Sequence, residues 1–136
     1  CNPHIVTAFG DWRKRYADRR IEMIEGKWQD VTDQLELYDG IFFHTYPLDE
    51  QEYVENVAQS VTFAQHFFQT AADHLRDGGA FSYMSNETDS LSRAHQRALL
   101  AHFSSFSVSL VEDLQVPEDS RDSQWTRQMV VVRAEK

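Results

Sequence analysis

Apolar residues in this 136-residue chain repeat with two periods that alternate along it, and that alternation sets the fold class. Near the start, Ile5, Ala8, Phe9, Trp12 and Tyr16 share one face of a 3.6-residue repeat, predicting a helix over His4–Ala17. Asn2 supplies its cap and Pro3 its first turn. Ile21-Glu22-Met23-Ile24-Glu25 is a short strand candidate that Gly26 ends, and Lys27–Val31 follows as a loop. Ile41-Phe42-Phe43, running into His44, is apolar on consecutive positions, as suits a central parallel strand buried on both faces. Asp49–Leu75 holds the strongest helical stripe: Val54, Val57, Ala58, Val61, Ala64, Phe68, Ala71 and Leu75. Unbroken, that helix would run roughly 35 Å. Asp77-Gly78-Gly79 ends it, with Gly78 as a left-handed cap. Ala80–Met84 is the next strand, and Asp89 and Ser90 cap a helix through Leu91, Ala94, Ala98, Leu99 and His102. Phe106–Leu114 alternates as a strand. A polar loop at Pro117–Ser123 leads to a last strand at Gln128–Ala134. Such alternation predicts an α/β fold of three layers around a mostly parallel sheet, with an antiparallel pair closing one edge.

Composition removes several function classes. Thirteen basic against twenty-two acidic residues give a net charge of −9, which argues against nucleic acid and against an anionic membrane surface. No run of about 18 apolar residues occurs. One cysteine excludes an internal disulfide framework and fits a reducing compartment, so a cytoplasmic location is expected. His95 and His102 are seven apart and His66 and His74 eight apart; neither is an i, i+4 pair, so no metal site is expected. Phe63, Phe67 and Phe68 read as core, and Glu118–Asp122 as a solvated loop. The chain begins with Cys1 and not methionine. A lipid-bearing cysteine of a bacterial lipoprotein would be followed by a polar tether. Here a patterned helix starts almost at once, so a start inside a longer chain fits better.

In an open α/β sheet, ligands bind beyond the carboxyl ends of the strands. Three such ends carry polar or aromatic groups: Trp28-Gln29-Asp30, His44-Thr45-Tyr46-Pro47 and Ser85-Asn86-Glu87-Thr88. The order of elements, with Tyr38-Asp39-Gly40-Ile41-Phe42-Phe43 and then Leu75-Arg76-Asp77-Gly78-Gly79-Ala80-Phe81, resembles the second half of a class I S-adenosylmethionine-dependent methyltransferase. More narrowly, Lys27-Trp28-Gln29-Asp30-Val31 and Phe43-His44-Thr45-Tyr46-Pro47-Leu48 resemble the guanidinoacetate N-methyltransferase family, as do Cys1-Asn2 and Gln128-Met129. The resemblance spans essentially the whole chain, and Thr45-Tyr46-Pro47-Leu48 is its most specific part.

That resemblance implies a Rossmann-like sheet, S-adenosyl-L-methionine as cofactor, and roles for particular residues. Cys1 and Asn2 match the residues after the acid that binds the cofactor ribose. Trp28 and Gln29 match the pair beside the adenine, where the family has Trp-Glu. His44 matches an aspartate between methyl donor and guanidinium, which makes it the catalytic candidate and a contact of both ligands. Tyr46, Asn86 and Glu87 match positions on the substrate side. His44 departs from the family pattern, because a carboxylate accepts two hydrogen bonds from a guanidinium and offsets its charge, and an imidazole does neither. Two roles stay open. Either the substrate has changed and neutral His44 is a general base on an amine or hydroxyl, or the substrate is still a cation and Glu87 supplies the carboxylate.

The expected activity is N-methylation of a small guanidino or amino compound. The alternative is a non-catalytic scaffold or binding subunit that kept the fold. A protein-arginine methyltransferase is less attractive, since no added peptide-binding segment is visible. Residues 1–136 are expected to be the C-terminal part of a single methyltransferase domain. The Ile21, Ile41, Ala80, Phe106 and Gln128 strands take the places of the third to seventh strands of the family sheet, the seventh lying between the fifth and sixth. The first two strands, with the glycine-rich cofactor loop, are expected to come from a missing N-terminal segment or a complementing chain. Without them the 136-residue chain is expected not to fold alone. A homodimer is left open.

Overall fold

A computed structural model describes residues 3–45, 47, 49–85, 87, 90–115 and 128–136. The chain divides into two compact units, Cys1–Glu36 and Leu37–Lys136.

In the first unit, α1 spans Pro3–Arg13 and runs into a 3-10 turn at Lys14–Tyr16. Proline takes its first position, where no backbone donor is needed. Its aromatic stripe is not a core: Trp12 and Tyr16 are each 42% exposed, and they pack on one another with ring centroids 4.8 Å apart. The strand expected at Ile21–Glu25 does not form. A five-residue stretch with three apolar side chains is a strand only where a neighbour takes its backbone groups, and none of the four described strands pairs with it. Two 3-10 turns follow, Trp28–Asp30 and Thr32–Gln34.

The second unit is built on a four-stranded sheet. β1 spans Tyr38–Phe43, β2 Leu75–Ser85, β3 Ser105–Val111 and β4 Met129–Glu135. Their order is β1-β2-β4-β3, so the last strand inserts between β2 and β3 as expected. β1 and β2 are parallel, while β2–β4 and β4–β3 are antiparallel. The described strands are thus a mixed sheet, not a mostly parallel one. β1 is also not buried on both faces: Phe42 is 64% exposed and Phe43 buried, because β1 lies at the edge of this sheet.

The long helix expected over Asp49–Leu75 is three pieces. α2 spans Glu50–Asn56, a 3-10 turn spans Phe63–Phe67, and α3 spans Phe68–His74. Asp49 caps α2 by accepting from the Glu52 N–H at 2.8 Å. The break falls around 57–62, where Gln65 Oε1 takes the Val61 N–H at 2.8 Å and offers the backbone a local partner in place of the helical one. Only the second half of the stripe is core: Ala64, Phe68, Ala71 and Leu75 are buried, while Val54 and Val61 are exposed.

Gly78 is not the cap of α3. Leu75 is already extended, and Gly78 takes its left-handed φ of +75° inside an irregularity of β2, between the Leu75 and Ala80 pairs with β1. Gly79 is held by space. A Cβ there would lie 2.8 Å from the Arg76 carbonyl oxygen and 3.2 Å from that of Asp39. α4 spans Arg93–Leu100 and is capped by Ser92, two residues later than expected, because the Ser92 hydroxyl is the one that takes the His95 N–H.

Side chains alternate along β2, so Phe81, Tyr83 and Ser85 face inward together. Their partners on β4, Ala134, Val132 and Val130, are buried on the same face. Phe81 is fully buried and meets Phe43, Phe67, Phe68 and Phe103, the last stacked at 5.6 Å. Rings of this size contribute about 1.5–3 kcal/mol each on burial. In this unit the sheet carries α3 and α4 on that one face, through Phe68 and His95 respectively.

Candidate functional site

The parallel pairing of β1 and β2 brings two carboxyl strand ends side by side. Phe43 and Tyr83 are partners in register, so His44 leaves β1 beside the point where β2 runs on through Ser85 to Glu87. Adjacent strands lie about 4.8 Å apart. His44 is exposed, and its ring stacks on Phe42 at 6.0 Å with planes 10° apart. Glu87 keeps 30% of its side chain exposed. Of the other expected site residues, Cys1, Asn2, Tyr46 and Asn86 lie outside the described residues.

Glu87 is held by three groups. The Ser92 N–H donates to both carboxylate oxygens at 3.2 Å, and His95 Nδ1 lies 2.7 Å from Oε2. The Glu87 N–H itself donates to Ser85 Oγ at 3.2 Å. His95 is fully buried, and its other ring nitrogen, Nε2, meets the Tyr83 hydroxyl. A continuous chain therefore runs from the core, Tyr83 to His95 to Glu87, and ends on a partly exposed carboxylate at the strand end.

The local sequence explains this arrangement. Ser92 as N-cap puts His95 in the first turn of α4, aimed at the sheet. Tyr83 shares the inward parity of Phe81. Burial, aided by the nearby Glu87 carboxylate, pushes the Tyr83 hydroxyl far above its usual range, so it stays protonated. Burial also acts to raise the Glu87 carboxyl, but the bonds from His95 and Ser92 outweigh it and hold that group below the usual carboxylate range. His95 and Tyr83 were not among the expected site residues. The signal that marks them is the Ser92-x-x-His95 cap spacing together with the two-residue step from Phe81 to Tyr83.

In the first unit, Trp28 is half-buried and Gln29 exposed on one 3-10 turn. A flat indole beside an amide that both donates and accepts suits the face and edge of a purine. The chemistry of this pair fits the adenine of S-adenosylmethionine. No group of three or more His, Cys, Asp or Glu suited to a metal occurs among the described residues.

The family model for guanidinoacetate N-methyltransferase matches residues 1–118. The chain belongs to that family. Its fold is similar to a solved structure, precorrin-6y C5,15-methyltransferase from Geobacter metallireducens GS-15, with a TM-score of 0.62 and 15% sequence identity. The match covers 99% of this chain and 64% of that one, so this guanidinoacetate N-methyltransferase family member spans under two thirds of the neighbour's length. At that identity the likeness is one of fold.

Proposed function

We propose that the protein acts as an S-adenosylmethionine-dependent methyltransferase that N-methylates a small guanidino or amino compound. The observation that carries this is that His44 and Glu87 each follow the carboxyl end of one of two adjacent parallel strands, β1 and β2, in a chain of this family. Trp28 and Gln29, with Cys1 and Asn2, would hold the cofactor, which supplies an electrophilic methyl group. The remaining work for the protein is mostly positioning, since methyl transfer is an in-line displacement. Glu87 is the carboxylate that meets the cationic acceptor, in place of the aspartate that His44 replaces. Its depressed pKa, set by His95 and Ser92, supports this, because it stays charged wherever an amine or guanidine is protonated. Tyr46 and Asn86 complete the acceptor side; His44 becomes the general base only if the acceptor is a neutral amine or hydroxyl.

The loss of the family aspartate at His44 favours one rival, a binding subunit without activity. A methyl-transfer assay of the full-length protein over guanidino and amino compounds, with calorimetry of S-adenosylmethionine, separates the two. Turnover of any such acceptor supports the enzyme, and absence of cofactor binding sinks it. His44→Asp distinguishes the two roles of Glu87 and His44. It should raise activity toward guanidino acceptors if Glu87 carries the cation, and abolish native turnover if His44 is the essential base.

A further inference from the structure

Tyr83 and His95 are fully buried polar side chains that no part of the methyl-transfer scheme uses, yet they end on the one residue that scheme needs charged. We propose that His95 is a positioning residue: held by Tyr83 at Nε2, it donates from Nδ1 to Glu87 and fixes which way the Glu87 carboxylate faces. The proposal rests on Glu87 being the acceptor-binding carboxylate.

The direction of the chain follows from what each group can do. An ionised carboxylate only accepts, so Nδ1, 2.7 Å from Oε2, must carry the proton. Nε2 of the neutral ring is then an acceptor, and the Tyr83 O–H is its donor. Every polar atom of the buried ring is satisfied without placing a charge in the core. Among the described residues, Oε2 of Glu87 takes both His95 and a share of the Ser92 N–H, whereas Oε1 takes the other share alone. A carboxylate offers about four acceptor sites, so capacity is left chiefly on Oε1. That oxygen is the one that can receive an N–H of the acceptor. Ser92 contributes twice: its hydroxyl takes the His95 N–H at 3.2 Å, and its own N–H meets the carboxylate. The start of α4 thus locks the ring and the carboxylate together, and the ring also stacks on Tyr83 with centroids 5.9 Å apart.

Two measurements on the full-length protein test this. Side-chain 15N NMR of the wild type reads the His95 tautomer without any assay. A protonated Nδ1 is expected, and an unprotonated Nδ1 overturns the proposal. Steady-state kinetics then compare two variants. His95→Gln places its amide near Nε2, keeping Tyr83 and losing Glu87. His95→Asn places its amide near Nδ1. His95→Gln should raise the KM for the guanidino or amino acceptor about 10- to 100-fold, with the KM for S-adenosylmethionine changed less than about twofold. His95→Asn should recover most of that loss. Equal losses in both variants, or an unchanged acceptor KM in His95→Gln, overturn the positioning role. A wild-type protein that transfers no methyl group overturns the functional scheme and not the relay, which the tautomer still decides. The tautomer also decides if neither variant folds.

Discussion

Tyr83 anchors a chain of three side chains whose donors all point toward the strand end, and each link has its own consequence. Removing the hydroxyl in Tyr83→Phe leaves His95 Nε2 buried without its donor. An unmet buried acceptor costs about 1–3 kcal/mol, so urea unfolding of that variant should show a lower midpoint with an unchanged slope. Glu87 behaves differently because it titrates. Its folded pKa is depressed, so its contribution to stability is complete above the unfolded value of about 4.3 and is lost as pH falls through the lower folded value. The wild type should therefore lose stability on acidification below about pH 4.3 more steeply than Glu87→Gln, which has no proton to take up there. Equal slopes for the two proteins in acid titration followed by circular dichroism would contradict the assignment.

At the scale of elements, the α3–β2 junction shows how space, more than propensity, picks a residue. Leu-x-x-Gly-Gly looks in the sequence like a helix stop, and Gly78 like its left-handed cap. The helix instead ends at His74, and the two glycines serve the irregular start of β2. Gly79 has no room for a methyl group between the Arg76 and Asp39 carbonyls, both of them backbone that cannot swing away. Gly79→Ala should thus destabilise the domain by about 1–3 kcal/mol, read as a lower thermal midpoint. Gly78→Ala should cost less, since its penalty is the left-handed φ alone. The same scale explains the broken helix over Asp49–Leu75. A single apolar stripe does not reveal where a side chain such as Gln65 will intercept the backbone.

At the scale of the described sheet, the edge at β1 matters most. Among the described residues its only partner strand is β2, and Phe42 stands 64% exposed beside that edge. An apolar edge of this kind templates pairing with other chains, and lysine is a common block against it. Phe42→Lys should reduce concentration-dependent light scattering while shifting stability by no more than about 0.5 kcal/mol, because the ring is largely in water already. The net charge of −9 works in the same direction by keeping copies apart. Among the described residues no helix is long and apolar enough to cross a membrane.

Local pattern was enough to locate β1, β2, β3, β4, α1 and α4, with bounds off by up to five residues, because their apolar periods differ and survive packing. The resemblance carried the strand order and the placing of His44 and Glu87 at neighbouring strand ends, since strand ends follow from topology. What the sequence determined by itself is therefore the type of those six elements and the α/β class. Tertiary structure alone decided that the Ile21 run is no strand and that the first half of the long stripe lies in solvent. Each depends on which partner is present, and periodicity records only that a residue is apolar. Packing alone also joined Tyr83, His95 and Glu87, because hydrogen-bond partners twelve and eight residues apart meet only once α4 is laid on the sheet.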